Sequence, residues 1–234
     1  IFFTKLNHII EKNYYPYIYN YMKFVVAGST GLIGKSLISY ISTNNEVIAL
    51  TRRNFSFPKN VQQTLVDFDN DYDIPNADHL FICLGFPVTL ADLFIMQKEV
   101  KKQFYKVDYE YVCNLAIKAE KVGIKNVSVV SAVGATESSF NYYLKIKGLM
   151  EEQLKNLNFQ TLNIIQPSHL LGEREKPNGL DVKIFEAMTN ITGNLLLGPL
   201  AKFKNVNAIE IAKLMYEKAL NSRKGINYFT RMDI

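Results

Sequence analysis

Cysteine and histidine are scarce in this 234-residue chain. Two cysteines, Cys83 and Cys113, and three histidines, His8, His79 and His169, stand at spacings that make no metal site and no redox pair. That excludes a disulfide scaffold and a zinc centre from the expected chemistry. Both cysteines lie in apolar runs, as reduced core thiols of a cytoplasmic protein do. No uninterrupted apolar stretch approaches the ~20 residues of a membrane span. Charge of one sign has no territory of its own: 27 Lys and Arg against 22 Asp and Glu leave +5, with the basic residues scattered among acids. The densest group, Lys98, Lys101, Lys102 and Lys106, reads as the solvated face of a helix. No stripe of basic and aromatic residues accompanies it, so nucleic acid is not an expected partner. Internal repeats and low-complexity segments are missing too. With 48% hydrophobic residues the chain can bury the core of one domain.

Residues 1–21 differ from the rest. They are rich in Tyr, Ile and Asn, Pro16 interrupts any long helix, and the basic start and compact apolar centre of a signal peptide are lacking. Met22 stands directly before the first apolar run. We expect residues 1–21 to be a peripheral extension and residues 22–234 to form the domain.

From Met22 onward, short apolar runs alternate with helical periodicity. Phe24 to Ala27 reads as a first strand, and Leu32, Ile33, Leu37, Ile38 and Ile41 mark one face of a helix. Further strands are predicted at Glu46 to Leu50, Gln63 to Asp67, Ala77 to Leu84, Asn126 to Ser131 and Gln160 to Ile165. Helices are predicted from Ala91 to Lys121, broken near Lys106, from Tyr142 to Leu157 and from Ala208 to Leu220. Such alternation implies right-handed crossovers and a doubly wound parallel α/β sheet covered on both faces. Between Pro167 and Asn205 glycine and proline punctuate the pattern, and this stretch is expected to form a small substrate lobe.

The first strand runs into Gly28, Gly31 and Gly34 before its helix begins. Glycine at a strand-to-helix turn lets a pyrophosphate approach the backbone, and the helix N-terminus attracts its charge. The GxxGxxG spacing departs from GxGxxG, so the string alone also admits a tight turn without a ligand. After the second strand, where an acid would bind the ribose of NAD, the chain has Thr51-Arg52-Arg53. Guanidinium groups suit a 2′-phosphate, and a charged hydrogen bond is worth roughly 1.5 to 3 kcal/mol, so NADPH is the expected cofactor. Asp67 is a candidate acceptor for the adenine amino group. Leu84 and Gly85 fall where backbone runs along the cofactor.

Tyr143 and Lys147 stand four positions apart and so share a helix face. A nearby ammonium favours the tyrosinate, and a phenol thus tuned exchanges a proton with a carbonyl or alcohol. Ser131, closing the fifth strand, is positioned to orient the reacting oxygen.

In order and spacing, GSTGLIG (28–34), TRR (51–53), CLG (83–85), VVSAVGA (129–135), YLKIKGLMEEQL (143–154) and QPSHLLGER (166–174) resemble the atypical short-chain dehydrogenases/reductases, and most of all the Tat-interacting oxidoreductase family. The resemblance implies a Rossmann fold with NADPH along Gly28, Ser29, Thr30, Gly31, Leu32, Ile33 and Gly34, and on Arg52 and Arg53. It implies that Tyr143 exchanges the proton, that Lys147 binds the nicotinamide ribose, that Pro167 to Leu170 border the nicotinamide, and that Arg174 reaches cofactor or substrate. Two residues depart from the pattern. Ala132 stands where relatives carry a second serine, and Asp108 where some use an asparagine. The expected activity is reduction of a small carbonyl substrate. An NADPH-binding redox sensor acting through a protein partner and a nucleotide-sugar epimerase stay open beside it, as does a homodimer.

Overall fold

The computed structural model describes residues 21–168, 170–171 and 204–234. Residues 1–20, most of the expected substrate lobe and Arg174 therefore lie outside the described residues.

Strand β1 (Lys23–Ala27) leads into helix α1 (Leu32–Ile41), followed by β2 (Glu46–Thr51), β3 (Val61–Leu65) and β4 (His79–Ile82). Helix α2 (Leu90–Phe94) comes next. Helix α3 (Lys98–Tyr105) then passes through a π-helical turn (Lys106–Tyr111) into α4 (Val112–Lys121). β5 (Asn126–Val130), α5 (Tyr142–Lys155) and β6 (Thr161–Gln166) follow, then β7 (Leu170–Leu171), β8 (Val206–Asn207), α6 (Ala208–Asn221) and β9 (Gly225–Thr230).

Seven strands form one parallel sheet in the order β3-β2-β1-β4-β5-β6-β9. The doubly wound Rossmann arrangement expected from the alternation is the one observed. Phe24 and Val26 of β1 pack with Leu37, Ile38 and Ile41 of α1 and with Ile211, Leu214 and Met215 of α6. Val25 and Ala27 face the other side, against Leu115, Ala116 and Ala119 of α4 and Met150 and Leu154 of α5. Burial on both faces is why β1 is apolar throughout rather than alternating. Strand order reverses between β1 and β4, which opens a crevice at the carboxyl ends of these strands.

Away from that crevice, a buried polar chain ties four strands together. His79 Nε2 meets Ser128 Oγ at 2.8 Å, Asn163 Nδ2 donates to the same Oγ at 3.3 Å, and Asn227 Nδ2 donates to Asn163 Oδ1 at 3.2 Å. Ser128, Asn163 and Asn227 are register partners, so a one-residue slip would strand their polar groups in the core.

The third strand begins and ends two residues before the expected one, because Asp67 opens a turn. The expected long helix is divided: Ile95 is extended, and Gln97 caps a new start. The break expected near Lys106 is a π-turn, so the helix continues through it. β9 follows α6 closely at the sheet edge, where half-exposed residues offer no continuous apolar run. Leu170 and Leu171 pair with Val206 and Asn207 in a small second sheet. Among the described residues no helix is long and apolar enough to cross a membrane, and no group of side chains could hold a metal ion.

Candidate active site

At the crevice Gly28 has φ +77°, and a Cβ there would lie 2.3 Å from the carbonyl oxygen of Cys83. The exits of β1 and β4 can meet this closely only if the position has no side chain. A Cβ on Gly34 would likewise stand 2.2 Å from the Gly28 carbonyl oxygen, so α1 starts pressed against the turn. The Gly31 amide donates to Gly28 O at 3.0 Å, and the first turn of α1 carries no acidic side chain. The helix terminus is thus free of any charge that would repel a phosphate.

A cleft of about 160 Å³ opens in front of this turn, with Gly28 to Gly31, Arg52, Phe68, Leu84 and Gly85 in its walls. Ser29 is buried and donates its hydroxyl to Leu50 O at 3.1 Å, which ties the turn to β2. Leu32 and Ile33 direct their side chains into the core beside α1, so what they can offer a ligand is backbone. Arg52 lines the cleft, whereas Arg53 is exposed and lies outside its lining. Asp67 is exposed: one carboxylate oxygen accepts the Asp69 amide at 3.0 Å and the other accepts Asn70 Nδ2 at 2.7 Å. Its neighbour Phe68, which sequence reasoning missed, is buried and supplies an apolar wall of the cleft.

Tyr143 and Lys147 share the inner face of α5 as their spacing requires. Tyr143 is half-buried, its ring 5.2 Å from that of Phe104. Lys147 is buried, with Nζ 2.7 Å from Asp108 Oδ1 and donating at 3.4 Å to Val130 O. Asp108, also buried, accepts the Phe86 amide on Oδ2 at 2.7 Å. The π-turn accounts for its aim: Val107 and Tyr111 face the cleft while Asp108 turns toward α5. Burial pushes the Tyr143 phenol above its ordinary range, and Asp108 adds to this against the pull of Lys147. This corrects the expectation of a phenol tuned downward: burial outweighs the pull of the Lys147 ammonium, which a carboxylate at contact distance partly offsets. Burial also opposes the charge on Lys147, but Asp108, Tyr143 and Glu151 together hold its pKa above the usual value.

Ser131 is buried and donates its hydroxyl to Glu151 Oε1, which also accepts from Gln166 Nε2 at 2.9 Å. Burial raises the Glu151 carboxyl despite these bonds. Tyr143, Lys147 and Glu151 repeat at intervals of four, so the same helical spacing would have found Glu151. Gly148 left no such signal. A Cβ there would fall 2.2 Å from the Thr136 carbonyl carbon, so the loop after β5 packs directly on α5 beside Lys147. Pro167 is buried and accepts the Val133 amide at 3.0 Å, and Leu170 packs with the core on the α1 side of the sheet.

Fold and crevice together define a doubly wound Rossmann protein with a cleft at its strand-order reversal. No protein-family model matches the chain. It is 30% identical over 202 residues to "Protein FMP52, mitochondrial" of Debaryomyces hansenii, covering 82% of this chain and 85% of that protein. It is 31% identical over 162 residues to "Protein HTATIP2" of Rattus norvegicus, covering 64% of each. Among solved structures, a UDP-N-acetylglucosamine 4-epimerase from Methanobrevibacter ruminantium M1 superposes with a TM-score of 0.65 at 15% identity, over 90% of this chain and 76% of the other. The chain belongs to the atypical short-chain dehydrogenase/reductase family that includes FMP52 and HTATIP2.

These relatives overturn one expectation. Fungal relatives from several species carry the name "mitochondrial", against the cytoplasmic location inferred from reduced cysteines. Two free thiols, Cys113 buried and Cys83 partly so, do not separate one reducing compartment from another.

Proposed function

We propose that the protein is an NADPH-dependent reductase of a small carbonyl compound, with Tyr143 as proton donor. The observations that carry this reading are the glycine cradle at the exit of β1 and, on one face of α5, Tyr143 with Lys147, the latter joined through Asp108 to the loop after β4 that carries Gly85. The cradle fits a dinucleotide: its glycines leave no room for side chains, its helix terminus has no competing acid, and Arg52 lines the cleft with no acid at the end of β2. Gly28 to Gly34 would hold the pyrophosphate, Arg52 with Arg53 the 2′-phosphate, and Lys147 the nicotinamide ribose. Leu84, Gly85, Pro167, Leu170 and Arg174 are proposed to border the rest of the cofactor, and Asp67 its adenine. The bound nicotinamide supplies hydride to the substrate carbon. Tyr143 delivers a proton from its Oη to the oxygen that becomes the alcohol. Phe104 and the surrounding apolar side chains pack against the Tyr143 ring. Residues 167–205 are proposed as the substrate lobe of a single domain, and a mitochondrial location is proposed from the names of the fungal relatives.

A second reading, a redox sensor that binds NADPH and signals to a protein partner without turnover, draws support from Ser131. Its hydroxyl is committed to Glu151, and Ala132 offers none in its place. Assay of a broad carbonyl panel with wild type and Tyr143→Phe separates the two. A reductase loses ~10²- to 10⁴-fold in rate on that substitution while binding NADPH nearly as before. Absence of turnover by the wild type across the panel, with NADPH bound, overturns the reductase in favour of the sensor.

A further inference from the structure

The residue that departs from the family pattern in the long helix is also the one in contact with Lys147. Both partners are almost wholly withdrawn from solvent, with side-chain exposures of 5% for Lys147 and 2% for Asp108. The carboxylate cannot swing aside freely, because its second oxygen holds the Phe86 amide just beyond β4, on the loop that also carries Gly85. Three elements therefore converge on it: the π-turn, the β4 exit and α5.

We propose that Asp108 is the resident counter-ion of Lys147, keeping Tyr143 in its phenol form and so committing the site to proton donation, the reductive direction, at neutral pH. This rests on Tyr143 being the proton-exchanging group. Asparagine in the same place would still accept the Phe86 amide, though more weakly, and would leave the ammonium uncompensated and free to stabilise a phenolate. A phenol gives its proton to a carbonyl oxygen that is becoming an alcohol, whereas a phenolate takes one from an alcohol. Asp108 is a positioning residue in this scheme: it acts on Tyr143 through Lys147.

Burial is the largest influence on the Tyr143 phenol and raises it; among the charged groups around it, the Lys147–Asp108 pair is the one that acts on it. From α5 the charged neighbours are Lys147 and Glu151, and Glu151 is held by Ser131 and Gln166. From the π-turn come Asp108 and Tyr109, and from the start of α5 Tyr142, both tyrosines pushed upward by burial and so uncharged. Phe104 of α3, the Val130 carbonyl and the Phe86 amide are neutral.

The test is a tyrosinate absorbance titration of the full chain without nucleotide or substrate. Subtracting Tyr143→Phe from its parent isolates the signal of Tyr143. In Asp108→Asn, measured against Asp108→Asn/Tyr143→Phe, the midpoint of Tyr143 is expected to fall by about one pH unit or more relative to wild type. A Tyr143 that titrates no earlier in Asp108→Asn overturns the proposal.

Because a buried lysine without its partner can unfold a protein, the pair is also removed together as Asp108→Asn/Lys147→Met, a neutral replacement of a kind that folds are known to accept. Its Tyr143 midpoint is expected at or slightly above that of wild type, since Lys147 lowers the phenol somewhat more than Asp108 raises it. A midpoint well above wild type shows that Lys147 acts on the phenol unopposed, and overturns the proposal. Failure to bind NADPH or to reduce any carbonyl would sink the proposed function and leave this titration readable.

Discussion

Gly28 and Cys83 meet so closely that a methyl group on the first would lie 2.3 Å from the carbonyl oxygen of the second. The contact joins the turn after β1 to the exit of β4 and sets the floor of the cleft. Gly28→Ala must relieve both that clash and a positive φ, which alone costs about 1 to 3 kcal/mol. We expect a fall in the unfolding free energy, read from urea melts, of at least that size and loss of nucleotide binding. Gly31→Ala is expected to be milder on stability, since its Cβ would stand 3.2 Å from the Gly28 carbonyl oxygen and its φ is −80°. Equal losses in the two variants would refute this account of the turn.

Arg52 lines the cleft and Arg53 does not. Arg52→Ala should therefore weaken NADPH binding roughly tenfold or more while leaving NADH almost unaffected, the size expected for one charged hydrogen bond. Arg53→Ala should do less. Fluorescence titration of both nucleotides checks this, and equal affinities in all three proteins would remove the basis for a 2′-phosphate site.

Glu151 is the acceptor that satisfies Ser131. Glu151→Ala leaves a buried hydroxyl and the Gln166 amide without it, at a cost of about 1 to 3 kcal/mol, and Glu151→Gln should cost less. The pH dependence has a definite sign. The folded carboxyl has a pKa above its unfolded value, so this group's contribution is present at low pH and declines as pH rises through the folded pKa. Subtracting the Glu151→Gln stability curve from that of wild type should reveal a component that falls with pH. A component that rises would contradict the raised carboxyl.

His79 behaves in the opposite way. Burial lowers its pKa to about 3, so between pH 6.5 and 3 the unfolded chain takes up a proton that the folded chain refuses. Stability attributable to His79 is complete above pH 6.5 and is lost as pH falls, with a limiting slope of about 1.4 kcal/mol per pH unit. Urea melts of wild type and His79→Gln across this range give the difference. Parallel curves would mean that the ring is charged in the folded protein.

Much of the fold was legible because its signals are local. The unbroken apolar stretch Phe24 to Ala27, the glycines behind it and the four-residue repeat of Tyr143 and Lys147 each report a neighbourhood that the chain builds within a few residues. β9 was not legible, since Ile226 and Tyr228 are exposed at the sheet edge and the strand exists by pairing with β6. Phe68 and Tyr111 gave no warning that they would line the cleft, because their positions depend on the turn after β3 and on the π-turn.

The sequence by itself determined the alternation of strands and helices, the place of the phosphate turn and the shared face of Tyr143 and Lys147, because short-range sterics and periodicity dictate each of them. Tertiary structure alone decided the charge environment of that face. Asp108 lies 39 positions from Lys147 in the chain, and a carboxylate acts on an ammonium through space at 2.7 Å, a distance that no spacing in the sequence encodes.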